Sequence, residues 1–398
     1  MAQHGESGRI VIDVEPELKR RIYSALSLSG GTLKDWFIKA AEELCEEKQQ
    51  PVPVKNVRYG RSEKTAPHAL KEEYEQSVTT AETPSIGNRN GKAAKKYTVV
   101  SMFSGCGGMD LGFTGGFEIF GRRYGSLPFE IVWANDISPE ACKTYEWNLK
   151  HKIHRGDIWG LMESMPKKAD VIIGGFPCQD ISVNGKRAGI NGARSGLYRA
   201  MVEAIRRLKP KVFVAENVKA LLRHEEWLQQ VLSDFRGLGY EVSCELYRAA
   251  DYGVPQTRER VMFIGTANGV KAFSPPPPER NASTWMTARE AIGDLENLDE
   301  APHINHIWSR ANISPEQGNR RLRYDRPGYT IRAECHGNIQ FHYRHPRRVS
   351  MREAARIQSF PDKFLFTCGI REIERQVGNA VPPVLAWHVA NAVTACLR

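Results

Sequence analysis

Three short stretches of this 398-residue chain carry side chains suited to covalent and acid–base chemistry. Cys178 stands in Gly174-Gly175-Phe176-Pro177-Cys178-Gln179, a glycine- and proline-punctuated loop after the apolar run 170–173. A lone cysteine is most often a small buried apolar residue, but on a loop at a strand end its thiolate is a nucleophile that adds and leaves readily. Glu216 follows the apolar run 211–215, in Ala215-Glu216-Asn217-Val218. A carboxylate emerging from such a strand tends to hold its proton, which suits proton donation. Gln256-Thr257-Arg258-Glu259-Arg260 leads into the run 261–265. Strand alternation predicts Arg258 and Arg260 on one face, where two guanidiniums suit an anionic or carbonyl-bearing ligand.

A second set reads as a binding site. The turn Phe103-Ser104-Gly105-Cys106-Gly107-Gly108 follows the apolar run 98–103. Its glycines let the backbone approach a ligand closely, and the next helix offers its N-terminus. It has neither the Gly-x-Gly-x-x-Gly spacing nor the Lys-Ser/Thr of a phosphate loop, so pyrophosphate is not implied. Asp136 closes the next apolar run and Asp157 the one around Ile153. Each acid suits recognition of a nucleoside, and each alone suits a helix cap or a turn equally well. Together they read as a site for a nucleoside cofactor without a diphosphate.

These residues need a sheet to hold them. Strand candidates at 98–103, 130–134, 170–173, 211–215, 242–246 and 261–265 alternate with helical stretches at 139–149, 197–208 and 225–238. The alternation predicts an α/β fold with a mostly parallel sheet covered on both faces, and ligands beyond the carboxyl ends of its strands. Hydrophobic residues at 41% and charged residues at 26% exclude a wholly disordered chain. The net charge of +10 favours a polyanionic partner. Eight scattered cysteines with no Cys-x-x-Cys pair suit a reducing cytoplasm. No basic-then-apolar leader and no apolar stretch of ~20 residues is read, so no membrane is expected.

The expected organisation is a module at 1–48, a polar linker at 49–96 broken by Pro51, Pro53, Pro67 and Pro84, a catalytic domain at 97–268, a smaller domain at 269–345, and a part at 346–398 that completes the catalytic domain. Within the first module, Ile10, Ile12 and Val14 alternate as a strand, Pro16 opens a helix, and Thr32 caps a second one after Gly30-Gly31. This pattern resembles a ribbon–helix–helix module, which implies a homodimer paired through the strand. Residues 1–50 hold seven Lys/Arg against nine Asp/Glu, which speaks against DNA contact by this module; a helical extension that only docks is the other reading.

Phe-Ser-Gly-Cys-Gly-Gly, Gly-Phe-Pro-Cys-Gln, Glu-Asn-Val, Gln-x-Arg-x-Arg and Gln376-Val-Gly-Asn-Ala-Val-Pro-Pro383 follow one another in an order that resembles the DNA (cytosine-5)-methyltransferases. The resemblance covers roughly 97–268 and 346–398. It implies a Rossmann-like methyltransferase sheet, S-adenosylmethionine as methyl donor with S-adenosylhomocysteine as product, and a cytosine flipped out of duplex DNA as acceptor. It makes Cys178 the nucleophile at carbon 6, has Glu216 hold and protonate ring nitrogen 3, and has Arg260 with Arg258 steady the base oxygen and Cys178. It assigns the cofactor to Phe103, Ser104, Gly105, Cys106, Gly107, Gly108, Asp136, Ile137, Asp157, Ile158, Pro177, Leu197 and Asn379. Ile137 stands where the family often has an aromatic residue, so stacking there is weaker. The chemistry agrees: attack at carbon 6 makes carbon 5 enamine-like, a thiolate can add and leave, and charge developing on the ring calls for an acid.

Segment 269–345 takes the place of the target recognition domain. From His303 to Arg352 there are ten arginines, no lysine and three acids, a composition suited to phosphate clamping and bidentate guanine contacts. Arg320, Arg321, Arg323, Arg344 and Arg347 are the expected DNA contacts. Cys335-His336 with His342 and His345 fits no zinc spacing, so no metal is expected. The reading is a cytoplasmic bacterial enzyme, the protective half of a restriction–modification system with a possible partner endonuclease, or a solitary relative. An RNA cytosine-5 methyltransferase and a catalytically silent DNA-binding regulator are the alternatives.

Overall fold

The computed structural model describes residues 96–176, 196–310, 320–333 and 340–398, all within the compact unit Ala81–Arg398. The expected N-terminal module, the linker up to residue 95, Pro177, Cys178, Cys335 and His336 lie outside the described residues.

Strand β1 (Tyr97–Met102) leads through the glycine turn into α1 (Gly108–Thr114). A short hairpin of β2 (Phe117–Ile119) and β3 (Arg122–Tyr124), not foreseen from the sequence, precedes β4 (Phe129–Asp136). Helix α2 (Pro139–Leu149) starts where expected, because Ser138 caps it and Pro139 occupies its first turn. Then follow β5 (His154–Arg155), α3 (Ile158–Leu161), β6 (Val171–Gly175), α4 (Gly196–Leu208), β7 (Val212–Val218), α5 (Glu225–Gly237), β8 (Tyr240–Arg248) and β9 (Glu259–Ala267).

The strands form one seven-stranded sheet in the order β5-β4-β1-β6-β7-β9-β8. The pairs from β5 to β7 are parallel, and β9 runs antiparallel to both β7 and β8. The chain steps outward from β1 to β4 and β5, then returns to β6 on the other side, which leaves a crevice beyond the carboxyl ends of these strands.

Alternation along the strands builds a core on each face. Val99, Val171, Ile173, Val212 and Val214 pack with Phe113 of α1. Val100, Met102, Ile172, Phe213 and Ala215 pack with Met201, Ala204 and Ile205 of α4 and Phe235 of α5. Each fully buried aliphatic side chain of this kind contributes about 1.5–3 kcal/mol.

The remaining helices are α6 (Ala288–Ile292), α7 (Met351–Ile357), α8 (Ile370–Asn379) and α9 (Pro383–Leu397). The stretch Ile370–Leu397 is long and apolar enough to cross a membrane, contrary to the sequence reading, yet 67% of its apolar window is buried. Val384, Leu385, Val389 and Val393 fill the core beneath β1, so α9 is a core helix. The expected boundary at 345 is not a packing boundary either. Ala288, Ile292, Leu322 and Ile331 share one core with Met351, Ile357, Phe360 and Val377.

Candidate active site

Each strand end delivers one functional group. After β1, Phe103 and Gly105 take positive φ values of 55° and 58°, a bend that strains a phenylalanine and suits a glycine. The bend aims Ser104 N–H at Asn135 O (2.8 Å) and Gly105 N–H at Asp136 Oδ2 (2.8 Å), while Asp136 Oδ1 accepts from Ser138 N–H (2.8 Å). Burial raises the Asp136 pKa against these bonds. A Cβ on Gly105 would meet no atom of the described residues within 4 Å, so among them the turn is open there. A Cβ on Gly108 would lie 2.5 Å from Val381 O, so that glycine is required by packing. Ile137, 69% exposed, stands beside the carboxylate, and Asn379 is exposed at the end of α8.

An open turn, a strand-end carboxylate and an exposed apolar side chain fit a nucleoside. Other expected contacts also have structural partners. Asp157 Oδ1 accepts from Trp159 N–H (2.9 Å), so the carboxylate caps α3, the alternative left open above. Ile158 is 2% exposed and belongs to the core. Leu197 packs half-buried against that same core. Cys106 is 2% exposed with its thiol against Gln376 O, so its side chain serves packing as well.

Beneath the turn lies a buried acid that the sequence reading missed. Asp110 accepts from Tyr145 Oη (2.9 Å) and Ser101 Oγ (3.0 Å), and Ser101 Oγ meets Ser104 Oγ at 2.8 Å. Burial pushes the Asp110 pKa up to about 6. A carboxyl whose pKa is raised on folding contributes stability fully present below its unfolded value and lost as pH rises through the folded one. Asp110 therefore costs stability between pH 4 and pH 7, by at most about 3 kcal/mol at 1.36 kcal/mol per unit. Asp110→Asn should flatten the pH dependence of the urea midpoint over this window; an unchanged slope would show that Asp110 does not titrate there.

The second group lies on β7. Its strand is longer than expected, so Glu216 sits within it, 8% exposed, opposite Gly175 of β6. A Cβ on Gly175 would lie 2.9 Å from Glu216 Oε2, and one on Gly174 would lie 2.7 Å from Met102 O. The glycine pair thus leaves room for the carboxylate and for β1. Arg260 Nε meets Glu216 Oε1 at 2.7 Å, with both side chains nearly buried. Burial lowers the Arg260 pKa and Glu216 opposes it. Asn217, 2% exposed, donates from Nδ2 to Phe176 O (3.2 Å), tying the entrance of the cysteine loop to β7. Its signal in the sequence was an amide beside Glu216 in a strand whose other residues are apolar.

Arg258 does not join this pair. Its guanidinium, 1% exposed, donates to Ile331 O (3.0 Å) and Gly378 O (2.8 Å). Alternation gave the wrong expectation because Arg258 precedes β9, which begins at Glu259. The arginines expected to contact DNA also divide. Arg323 and Arg344 are exposed, with side chains 54% and 68% accessible, and pair with Asp325 and Glu296. Arg321 donates to the carbonyls of His342 and His345 (2.7 and 2.9 Å). Arg320 is half-buried. Arg347 makes two 2.8 Å bonds to the fully buried Glu353 and lies over the Trp308 ring, so its guanidinium is clamped within the fold.

Comparison with known proteins follows the same outline. Residues 97–321 and 309–395 match the family of C-5 cytosine-specific DNA methylases. The chain is 36% identical over 344 residues to the Type II methyltransferase M.NgoFVII of Neisseria gonorrhoeae, covering 77% of this chain and 89% of that protein. It is 32% identical over 378 residues to the Type II methyltransferase M.BspRI of Lysinibacillus sphaericus, covering 81% and 87%. Among solved structures, an S. pombe Dnmt2 methyltransferase superposes with a TM-score of 0.57 at 17% identity, over 76% of this chain and 98% of that one. The Entamoeba histolytica methyltransferase EhMeth does so at 0.56 and 15%, over 76% and 99%.

Proposed function

The chain belongs to the C-5 cytosine-specific DNA methylase family, and from that premise we propose that it methylates carbon 5 of a cytosine, flipped out of a specific duplex DNA sequence, from S-adenosylmethionine. The observation that carries the reading is the buried Glu216–Arg260 pair at 2.7 Å, roofed by Gly175 at the end of the strand that leads to Cys178. The cofactor, when bound, supplies an electrophilic methyl group on a sulfonium. Phe103, Ser104, Gly105, Asp136, Ile137, Pro177 and Asn379 would hold it, and the opening at Gly105 among the described residues, beside the Asp136 carboxylate, supports this.

Cys178 adds to carbon 6 of the base, and Glu216 donates a proton or a hydrogen bond to ring nitrogen 3. That neutralises charge as the thiolate adds and makes carbon 5 nucleophilic. Arg260 holds the Glu216 carboxylate and reaches toward the base oxygen. Arg258 positions these groups and does not touch the base. Segment 269–345 reads the DNA, and the module at 1–48 serves self-association. The enzyme works in the cytoplasm as the protective partner of an endonuclease.

The test is transfer of labelled methyl groups to duplex DNA and to transfer RNA, with sequencing to locate the modified cytosine. Transfer to one duplex motif is expected; transfer to RNA alone would overturn the reading. In the same assay, Arg323→Ala and Arg344→Ala should each lower the salt dependence of DNA binding by about 0.9 in slope, as expected for one lost phosphate contact. Slopes that stay unchanged would move the DNA face elsewhere.

A further inference from the structure

Gln256, Arg258 and Gln358 are 0, 1 and 0% exposed, and the chemistry above gives none of them a contact with the base. Each grips backbone. Gln256 Oε1 accepts from Ile331 N–H (3.0 Å), and its Nε2 donates to Ile357 O (3.2 Å) and Gln358 Oε1 (2.5 Å). Arg258 donates to Ile331 O and Gly378 O, and Gln358 Nε2 donates to Ala380 O (2.5 Å). Both backbone groups of Ile331 are therefore held, and so are the carbonyls on either side of Asn379. The two segments also touch directly, since a Cβ on Gly378 would lie 2.4 Å from the carbonyl carbon of Arg332. On the other side, Thr257 N–H donates to Gly328 O (2.9 Å), and Tyr329 beside it is 48% exposed.

We propose that Gln256, Arg258 and Gln358 form a buried splint joining segment 328–333 of the recognition region to turn 378–380 of the cofactor site, so that filling one site tightens the other. The proposal rests on the reading that Asn379 faces the cofactor and that 269–345 faces DNA. Ordering the turn around a cofactor orders Ile331 through shared hydrogen bonds, so DNA that binds next has less backbone freedom left to restrict. By linkage the factor is the same in both directions. An arginine suits the joint because its planar fork spans two carbonyls, whereas a lysine reaches one.

The test measures duplex DNA affinity of the full chain with and without saturating S-adenosylhomocysteine, and reads the ratio. For the wild type the ratio should be about fivefold or more, the usual lower range of such coupling. Arg258→Met, which keeps length and removes both bonds, should bring it below twofold, and Arg258→Lys should fall between. A wild-type ratio of one, or an undiminished ratio in folded Arg258→Met, would overturn the splint. Should Arg258→Met fail to fold, hydrogen exchange of the Ile331 amide in the wild type decides: S-adenosylhomocysteine should slow it, and an unchanged rate would overturn the proposal. A wild type that binds S-adenosylhomocysteine or DNA not at all would instead count against the function on which the proposal rests.

Discussion

Duplex DNA carrying 5-fluorocytosine at the methylated position will become attached to this protein in the presence of S-adenosylmethionine, and the attachment will survive denaturation. Normally the bond between Cys178 and carbon 6 breaks when a proton leaves carbon 5. Fluorine cannot leave as a cation, so once carbon 5 carries its methyl group the elimination has no route and the thioether persists. The peptide containing residues 175–179 should carry the mass of the adduct. Cys178→Ala should abolish it and lower methyl transfer on ordinary DNA by at least about 10⁴-fold, as removal of a nucleophile does elsewhere. Cys106 is the control. Its thiol is buried and burial holds its pKa far above the usual thiol range, so it stays unreactive and Cys106→Ala should still form the adduct. An adduct on another cysteine, or none from an enzyme active on ordinary DNA, would remove Cys178 from the mechanism.

Residue type and strand-end position were enough to single out Cys178, Glu216, Arg260 and Asp136 as candidates, because strand periodicity and the carboxyl-end rule depend on local sequence; of these the structure pairs Glu216 with Arg260. What local sequence could not show is which way a long side chain turns. Arg258 and Arg347 have the same chemistry as Arg260 and Arg344, yet their guanidiniums are spent on backbone carbonyls and on the buried Glu353. Those partners lie up to 120 residues away, and no periodicity signals them. Ile158 and Cys106 fail as side-chain contacts for a related reason. A residue beside a binding turn is also beside the core that supports the turn, and only packing decides between the two. The hairpin at Phe117–Tyr124 was missed because its strands span three residues each, too few for alternation to register. Segment 269–345 stood out by charge and not by boundary. Arg321, Arg323 and Arg344 sit on the surface and Arg320 is half-buried, while Ala288, Leu322 and Ile331 anchor the segment in a core shared with the helices that follow.

Glu216→Gln should separate two duties of one carboxylate. The amide can offer an N–H to ring nitrogen 3 but cannot transfer a proton, so kcat should fall by roughly 10²–10⁴, the range removed with a general acid. The same change takes the counter-charge from Arg260, whose side chain is only 12% exposed, and leaves a nearly buried cation facing a neutral amide. Breaking such a pair costs about 3–5 kcal/mol, so the urea midpoint of Glu216→Gln should drop as well. Arg260→Leu should lose activity and stability for the mirror reason, with a carboxylate left alone beside Gly175. The double variant resolves the two effects. With both charges gone, stability should recover above either single variant, a coupling of the sign expected for residues in contact, while kcat stays as low as in Glu216→Gln. Stability losses that simply add would mean that the 2.7 Å pair contributes nothing to the fold. A kcat for Glu216→Gln within tenfold of the wild type would take the acid role away from Glu216 and leave it as the residue that holds Arg260 in place.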